Sequence, residues 1–134
     1  MPDILVDTNV ILDVVTEDAR WFGPSSARLV GLAGDHLFVI NPIIYAEVSI
    51  GFELIEDLEA ALPAEFFRRE DLPWEAAFLA GKCFLKYRRA GGTRRSPLPD
   101  FYIGAHAAVR GMPLLTRDAA RYRTYFPKLS LLTP

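Results

Sequence analysis

The sequence predicts an α/β domain in which helices pack on both faces of a mainly parallel sheet, a three-layer α/β/α sandwich. Short apolar runs alternate with helical patterns along the chain, which is typical of parallel strands connected by helices. Of the 134 residues, 51% are hydrophobic and 24% are charged, as in ordinary globular domains. Neither an internal repeat nor a linker-like segment interrupts the chain, so residues 1–134 are predicted to form a single domain.

The first predicted element is a buried strand at 3–7, a short apolar run that ends in the carboxylate of Asp7. Thr8 or Asn9 is expected to cap the helix that follows, because both side chains can accept a hydrogen bond from its first turn. Asn41 and Pro42 are suited to the cap and the first position of a later helix. The other elements predicted for this half are a helix at 23–34, a strand at 36–40, helices at 41–52 and up to 62, and a weak strand at 65–69.

The second half is predicted to begin with a long helix at 73–89 that presents Trp74, Phe78, Gly81 and Leu85 on one face. Large aromatic side chains of this kind are expected in the core or in a subunit interface. The elements predicted after it are a loop rich in glycine and arginine at 90–96, a helix at 99–110, a strand at 113–116, a helix at 118–125 and a strand at 129–132.

A single cysteine, Cys83, excludes an internal disulfide and favours a reducing compartment. Its thiol lies within the long predicted helix and is expected to be buried and inert. No apolar run approaches the roughly 20 residues that a membrane span needs, and the N-terminus lacks the basic segment of a signal peptide. We therefore expect a cytoplasmic protein.

The formal net charge is only −2, but the charges are unevenly distributed along the chain. Residues 1–81 contain 4 Lys or Arg and 15 Asp or Glu, a net charge of −11. Residues 82–134 contain 11 Lys or Arg and 2 Asp or Glu, a net charge of +9. A basic segment of this kind attracts polyanions such as nucleic acids. The alternative is a solvated surface whose two halves attract each other.

Four carboxylates are candidates for chemistry, and each has an alternative structural role. Asp7 ends the first strand and Asp118 follows the strand that ends near Thr116, so both are expected at the carboxyl edge of the sheet, where ligands bind. Either could instead stabilise the start of a helix, as could Asp100. Glu47 has apolar neighbours three and four positions away in its helix. A carboxylate there needs a metal, a cation or a proton, unless it reaches solvent at the edge of the apolar stripe.

Brought together, the four acids would repel one another, and their pKa values would rise unless a cation intervened. Mg²⁺ and Mn²⁺ prefer such oxygen ligands, and either ion can lower the pKa of a bound water and neutralise a phosphate. Hydrolysis by a water bound to such an ion requires no nucleophilic serine, cysteine or histidine. An acidic cluster beside a basic segment therefore predicts metal-dependent hydrolysis of phosphodiester bonds.

At these residues the sequence resembles the PIN domain family, and in particular the VapC-type ribonuclease toxins of type II toxin–antitoxin pairs. The resemblance rests on the order and spacing of the acids and covers nearly the whole chain. Its segments are Leu5-Val6-Asp7-Thr8-Asn9-Val10, the helix of Glu47, Asp100-Phe101-Tyr102-Ile103-Gly104-Ala105-His106-Ala107, and Leu114-Leu115-Thr116-Arg117-Asp118.

The resemblance implies a metal-dependent endoribonuclease that uses Mg²⁺ or Mn²⁺. The metal-binding acids that it implies are Asp7, Glu47, Asp100 and Asp118, with Asn9 and Thr116 as polar support beside them. Asp118 is expected to act through water or at a second ion. The resemblance further implies strand order 3-2-1-4-5, an RNA substrate, a homodimer and a cognate antitoxin. No membrane partner is expected, because no apolar run is long enough for a membrane span.

The basic segment supplies candidates for binding the RNA backbone, namely Lys86, Arg88, Arg89, Arg94 and Arg95. Tyr87 offers a ring on which a base can stack. The alternative is an exposed loop without such a role. Arg117 and Arg121 could pair with the acids or with phosphate, and His106 is expected to be a partly buried helix residue rather than an RNA contact.

The residues alone leave three other functions open. A non-catalytic RNA-binding domain would share the basic segment but would not require the acids. A phospho-receiver-like module with an acidic pocket would have paired acids early in the chain and a lysine after a later strand, where this chain has Arg117. An aspartyl phosphatase would have Asp-x-Asp after the first strand, and here the third position is Asn9.

Overall fold

A five-stranded sheet, parallel throughout, forms the centre of the computed structural model, which describes residues 2–134. The strands are β1 (Ile4–Val6), β2 (Phe38–Ile40), β3 (Phe67–Arg69), β4 (Leu114–Leu115) and β5 (Leu131–Leu132). Their order in the sheet is β3-β2-β1-β4-β5, which confirms the predicted order.

Helices make all four connections between the strands. They are α1 (Thr8–Val15), α2 (Phe22–Ala33), α3 (Pro42–Ser49), α4 (Ile55–Ala61), α5 (Trp74–Arg89), α6 (Pro99–Arg110) and α7 (Ala119–Tyr125). Parallel strands are joined by right-handed crossovers. From β1, strands β2 and β3 follow on one side of the sheet, and β4 and β5 follow on the other side. The helices before and after β3 therefore lie on opposite faces, which confirms the predicted three-layer sandwich.

The central strand β1 places the first candidate acid in the middle of the sheet edge. Ile4, Leu5 and Val6 are fully buried, as expected for a continuous apolar run covered on both faces. Leu5 is in register with Val39 of β2 on one side and with Leu114 of β4 on the other. The residue after β1 therefore emerges between two neighbouring strand ends.

The predicted elements all form, although several of their ends differ from the expectation. Helix α3 ends at Ser49 rather than near residue 52, and the strands are two or three residues long. The expected cap of α1 was wrong, because the N-cap residue is Asp7 and Thr8 already belongs to the helix. Asp7 still has the extended backbone of the strand, so its carboxylate can accept a hydrogen bond from the first helical N–H.

The aromatic face predicted for α5 does not lie in the core of this chain. Its buried residues are the small ones, Ala76, Ala80 and Cys83, whereas Trp74 is 89% exposed and Phe78 is 70% exposed. The small side chains let α5 pack closely against α6. Burial raises the pKa of the Cys83 thiol, in agreement with an inert cysteine. No helix within residues 2–134, α5 included, is long and apolar enough to cross a membrane.

A close contact at Gly104 of α6 positions this helix against the end of α7. A Cβ on Gly104 of α6 would lie 2.3 Å from the ring of Phe126, just after α7. Only glycine lets the buried Phe126 ring approach the helix this closely. The contact holds the first turn of α6 beside α7, where the candidate acid of α6 meets polar side chains of α7.

Candidate active site

Asp7 is buried at the carboxyl edge of the sheet and has three hydrogen-bond partners. The Thr8 N–H donates to its Oδ1 at 2.8 Å. The hydroxyls of Thr116 and Tyr122 donate to its Oδ2 at 2.8 and 3.0 Å. The side chain is nearly inaccessible, with the residue 3% exposed. The pKa of Asp7 is raised to about 6, chiefly by burial and also by the charge of Asp100, and the three hydrogen bonds oppose this rise.

Glu47 reaches the same place from α3. The hydroxyl of Thr8 donates to its Oε1 at 2.7 Å, so Thr8 joins the helix that follows Asp7 to the side chain of Glu47. Burial raises the pKa of Glu47, and the charge of Asp100 raises it further, while the hydrogen bond from Thr8 lowers it. The surround is only partly apolar, because Ile44 is fully buried while Ile50 is 85% exposed. Glu47 thus lies at the border of the core and faces the acidic group.

A buried polar network holds α3 in position. Asn41 caps the helix, accepting a hydrogen bond from the N–H of Ile44 at 2.9 Å. The Asn41 amide nitrogen lies 3.0 Å from Nδ1 of His106 in α6. The other ring nitrogen of His106 lies 2.9 Å from Glu70. Burial lowers the pKa of His106, which is fully buried, so this histidine belongs to the packing between α3 and α6.

Asp100 completes a group of three carboxylates. It lies in the first turn of α6, and its Oδ2 accepts a hydrogen bond from Nη1 of Arg121 at 3.0 Å. Its charge acts on both Asp7 and Glu47. The hydroxyl of Tyr122 is exposed to all three charges, because burial and the charges of Asp7, Asp100 and Glu47 together raise its pKa well above the usual value. Of the three acids, Asp7 accepts a hydrogen bond from the Tyr122 hydroxyl, and the charges of the other two act on it.

Asp118 lies at the same edge of the sheet, two residues after Thr116. It precedes α7, is exposed, and its side chain does not cap the helix. Its backbone N–H donates to Oγ1 of Thr116 at 3.0 Å, and the Asn9 amide lies 3.4 Å from the same oxygen. Asn9 also accepts a hydrogen bond from the N–H of Arg117 at 3.1 Å. Thr116 and Asn9 thus connect Asp7 to the backbone before Asp118.

The chemistry of this donor set suits a hard divalent ion, although the side chains do not form a finished metal site. Among the residues that the structure describes, no group of three or more His, Cys, Asp or Glu side chains is arranged to hold a metal ion. The donors are nonetheless all oxygens, the charge of Asp100 raises the pKa of Asp7 and of Glu47, and all three charges raise the pKa of Tyr122. A cation placed among them would remove this repulsion.

Three site contacts were not predicted from the sequence. Tyr122 follows Asp118 by four residues, one helical turn, which is a weak signal for a side chain on the same side of α7. Thr8 was assigned to capping but bonds Glu47 instead. Arg117 does not pair with the four acids: its guanidinium pairs with the buried Asp13 at 2.9 and 3.0 Å.

The basic residues proposed for RNA binding lie at and after the end of α5. Nζ of Lys86 is 5.9 Å from the centre of the Tyr125 ring. Arg88 donates to the carbonyl of Arg94 at 2.8 Å and so holds the loop against the helix. Arg89 and Arg95 are exposed. Between this region and the acids lies a cavity of about 360 Å³, which is lined by Tyr87, Leu98, Phe101, Ala120, Arg121, Thr124 and Tyr125.

Three solved structures share this architecture at low sequence identity. VapBC2 from Rickettsia felis, solved bound to a DNA fragment from its promoter, has a TM-score of 0.75 and 18% identity, covering 98% of each chain. VapBC-1 from nontypeable Haemophilus influenzae has a TM-score of 0.71 and 19% identity, covering 97% of this chain and 96% of the other. VapC20 from Mycobacterium tuberculosis, a toxin that cleaves the sarcin–ricin loop, has a TM-score of 0.62 and 15% identity, covering 92% of this chain and 95% of the other.

At these identities the structural matches establish a common fold. Among curated proteins, the sequence comparison finds no match. The PIN domain family, in contrast, matches residues 4–127. This match spans strands β1 to β4 and includes each of the four candidate acids, from Asp7 to Asp118. The chain belongs to the PIN domain family.

Proposed function

We propose that this protein is a metal-dependent endoribonuclease and the toxin of a VapC-type toxin–antitoxin pair. The observation that carries the proposal is a group of carboxylates at the carboxyl edge of a PIN-domain sheet, where the charge of Asp100 acts on Asp7 and on Glu47. Carboxylates whose charges raise the pKa of a neighbouring acid, as Asp100 does for Asp7 and Glu47, favour a divalent cation between them. The structural matches to VapC20 and to two VapBC complexes favour RNA as the substrate and a toxin as the biological role.

In this proposal Asp7, Glu47 and Asp100 hold a Mg²⁺ or Mn²⁺ ion, and Asp118 acts through water or at a second ion. When bound, the ion supplies positive charge for the scissile phosphate and lowers the pKa of water. Thr116 and Tyr122 hold the Asp7 carboxylate in one orientation through their hydroxyls, and Thr8 does the same for Glu47. The carboxylates are thereby positioned before any ligand arrives.

The basic end of α5 and the following loop bind the RNA backbone in this proposal, because the acidic site itself repels phosphate. Its candidate contacts are Lys86, Arg88, Arg89, Arg94 and Arg95.

We further propose a single-domain cytoplasmic protein that forms a homodimer and is restrained by a cognate antitoxin. The exposed Trp74 and Phe78 of α5 supply apolar surface for such a partner.

The test is RNA cleavage by the purified chain, freed of any partner, in Mg²⁺, in Mn²⁺ and in EDTA. We expect cleavage only with an ion, and a loss of about 100-fold in Asp100→Asn, which removes one charged ligand. Asp35→Asn is the matched control, because it makes the same change at an exposed position after α2. Undiminished cleavage in EDTA would contradict metal dependence. RNA binding without cleavage in either ion would favour the non-catalytic RNA-binding domain.

A further inference from the structure

Arg121 gives the acidic site a cation of its own. Its guanidinium donates to Oδ2 of Asp100 at 3.0 Å, whereas Asp7 and Glu47 are bonded by neutral hydroxyls. The pair lies at the rim, with side-chain exposures of 46% for Arg121 and 23% for Asp100. Ion pairs as exposed as this one are weak, so another cation can readily replace the guanidinium.

Arg121 also lines a cavity. This cavity, about 360 Å³ in volume, lies between the end of α5, the start of α6 and α7, and it includes the rings of Tyr87 and Tyr125. Nζ of Lys86 lies 5.9 Å from the centre of the Tyr125 ring, so the basic end of α5 borders the same space. Arg121 thus contacts the acidic group and also lines a cavity that has aromatic side chains in its lining and basic side chains at its border.

A divalent ion and the Arg121 guanidinium compete for the Asp100 carboxylate, and each weakens the binding of the other. Each requires an oxygen of the same carboxylate, and the two cations repel each other. An ion that takes Oδ2 of Asp100 displaces Arg121, and an ion on the other oxygen still weakens the pair by repelling the guanidinium. The displaced side chain is long and partly exposed, and the cavity that it already lines is the nearest space. A guanidinium there presents several N–H donors, which suit the oxygens of a phosphate.

We propose that Arg121 is an exchangeable counterion: it neutralises Asp100 while no metal is bound, and after metal binding it turns to the cavity and holds a phosphate of the RNA. The inference rests on the proposed nuclease function. It makes metal binding and RNA binding cooperative, because the ion releases the residue that contacts the RNA. It also gives Arg121 opposite effects on two ligands, which an ordinary structural residue would not have.

The first arm measures Mn²⁺ binding by calorimetry without RNA, in wild type, Arg121→Gln and Arg123→Gln. Arg123 is exposed on the same helix, so its substitution removes the same charge without touching Asp100. We expect Arg121→Gln to bind Mn²⁺ about threefold to tenfold more tightly than wild type, because the competing cation is gone. Arg123→Gln should stay within about twofold of wild type.

The second arm measures RNA affinity for the same proteins in Ca²⁺, at several salt concentrations. Arg121→Gln should bind RNA more weakly than wild type, and its log–log salt slope should be smaller by about 0.7, the value of one lost phosphate contact on a single strand. Without a divalent ion, where Arg121 is held by Asp100, the same substitution should change the RNA affinity much less.

The outcomes separate this inference from the proposed function. Tighter Mn²⁺ binding together with weaker RNA binding in Arg121→Gln supports the exchange. Equal Mn²⁺ affinity in all three proteins, with metal-dependent cleavage retained by wild type, overturns the exchange and leaves the nuclease intact. Weaker Mn²⁺ binding in Arg121→Gln also overturns it, since Arg121 would then support the metal site. No Mn²⁺ binding by any of the proteins overturns both proposals.

Discussion

Replacing Asp7 with asparagine should make the metal-free protein more stable, even though Asp7 is buried and fully hydrogen-bonded. Burial raises the pKa of this carboxyl from 3.8 to about 6, so its ionised form is destabilised in the folded state. A difference of about two pKa units corresponds to about 3 kcal/mol in the free energy of unfolding, at about 1.4 kcal/mol per unit. Asparagine has the same shape as the neutral carboxyl and avoids this cost.

The sign follows from proton binding. Between about pH 4 and pH 6 the folded state binds the proton and the unfolded state releases it, so wild-type stability falls as pH rises through this window. Above about pH 6 the full cost is present. The amide nitrogen must face the hydroxyls of Thr116 and Tyr122, which offsets about 1 kcal/mol of the gain. We therefore expect Asp7→Asn to gain about 1–3 kcal/mol at pH 8 and little or nothing at pH 4.

Urea unfolding in EDTA at pH 4, 6 and 8 measures this difference, with Asp13→Asn as the matched control. Asp13 is also buried in α1, but its carboxylate pairs with Arg117 and accepts a hydrogen bond from Ser25 at 2.7 Å. Removing its charge leaves a guanidinium without its partner, so this variant should be less stable than wild type at pH 8. An Asp7→Asn protein that is less stable than wild type by the same amount at every pH would refute the reasoning.

Three further predictions concern the site, the RNA and the fold. Glu47→Gln should abolish RNA cleavage while circular dichroism shows unchanged helix content, and near-normal turnover would remove Glu47 from the site. Four arginines at and after the end of α5 are candidates for RNA binding, namely Arg88, Arg89, Arg94 and Arg95. Substituting all four with glutamine should lower the log–log salt slope of RNA binding by about 0.7 for each lost phosphate contact, with Mn²⁺ affinity unchanged in calorimetry. An unchanged slope would mean that this region is only solvated surface. Asn41→Ala should cost about 1–3 kcal/mol of unfolding free energy in urea, since it removes the cap of α3 and the partner of His106; a loss below about 0.5 kcal/mol would contradict this role.

The exposed face of α5 shows why hydrophobic patterning alone misjudged one helix. Trp74 and Phe78 recur at helical spacing, which normally indicates the buried side. In the structure the buried side is the stripe of Ala76, Ala80 and Cys83, because α5 packs so closely against α6 that only small side chains fit. Spacing identifies which residues share a face of a helix. Whether that face is buried depends on the neighbouring helix, which the local sequence does not contain.

The sequence by itself determined the class of fold, the order of its elements and the family. These follow from local properties: short apolar runs between turn signals, which favour buried strands, capping residues such as Asn41, and acids at fixed positions in the order of the motifs. Only the tertiary structure decided which of those acids meet. Asp7, Glu47 and Asp100 come from three parts of the chain that are far apart in sequence, yet the charge of Asp100 acts on both of the other acids. The pairing of Asp100 with Arg121 is likewise tertiary, because it depends on how closely α7 approaches α6. Contacts of this kind are set by the packing of whole helices, and a local pattern cannot specify them.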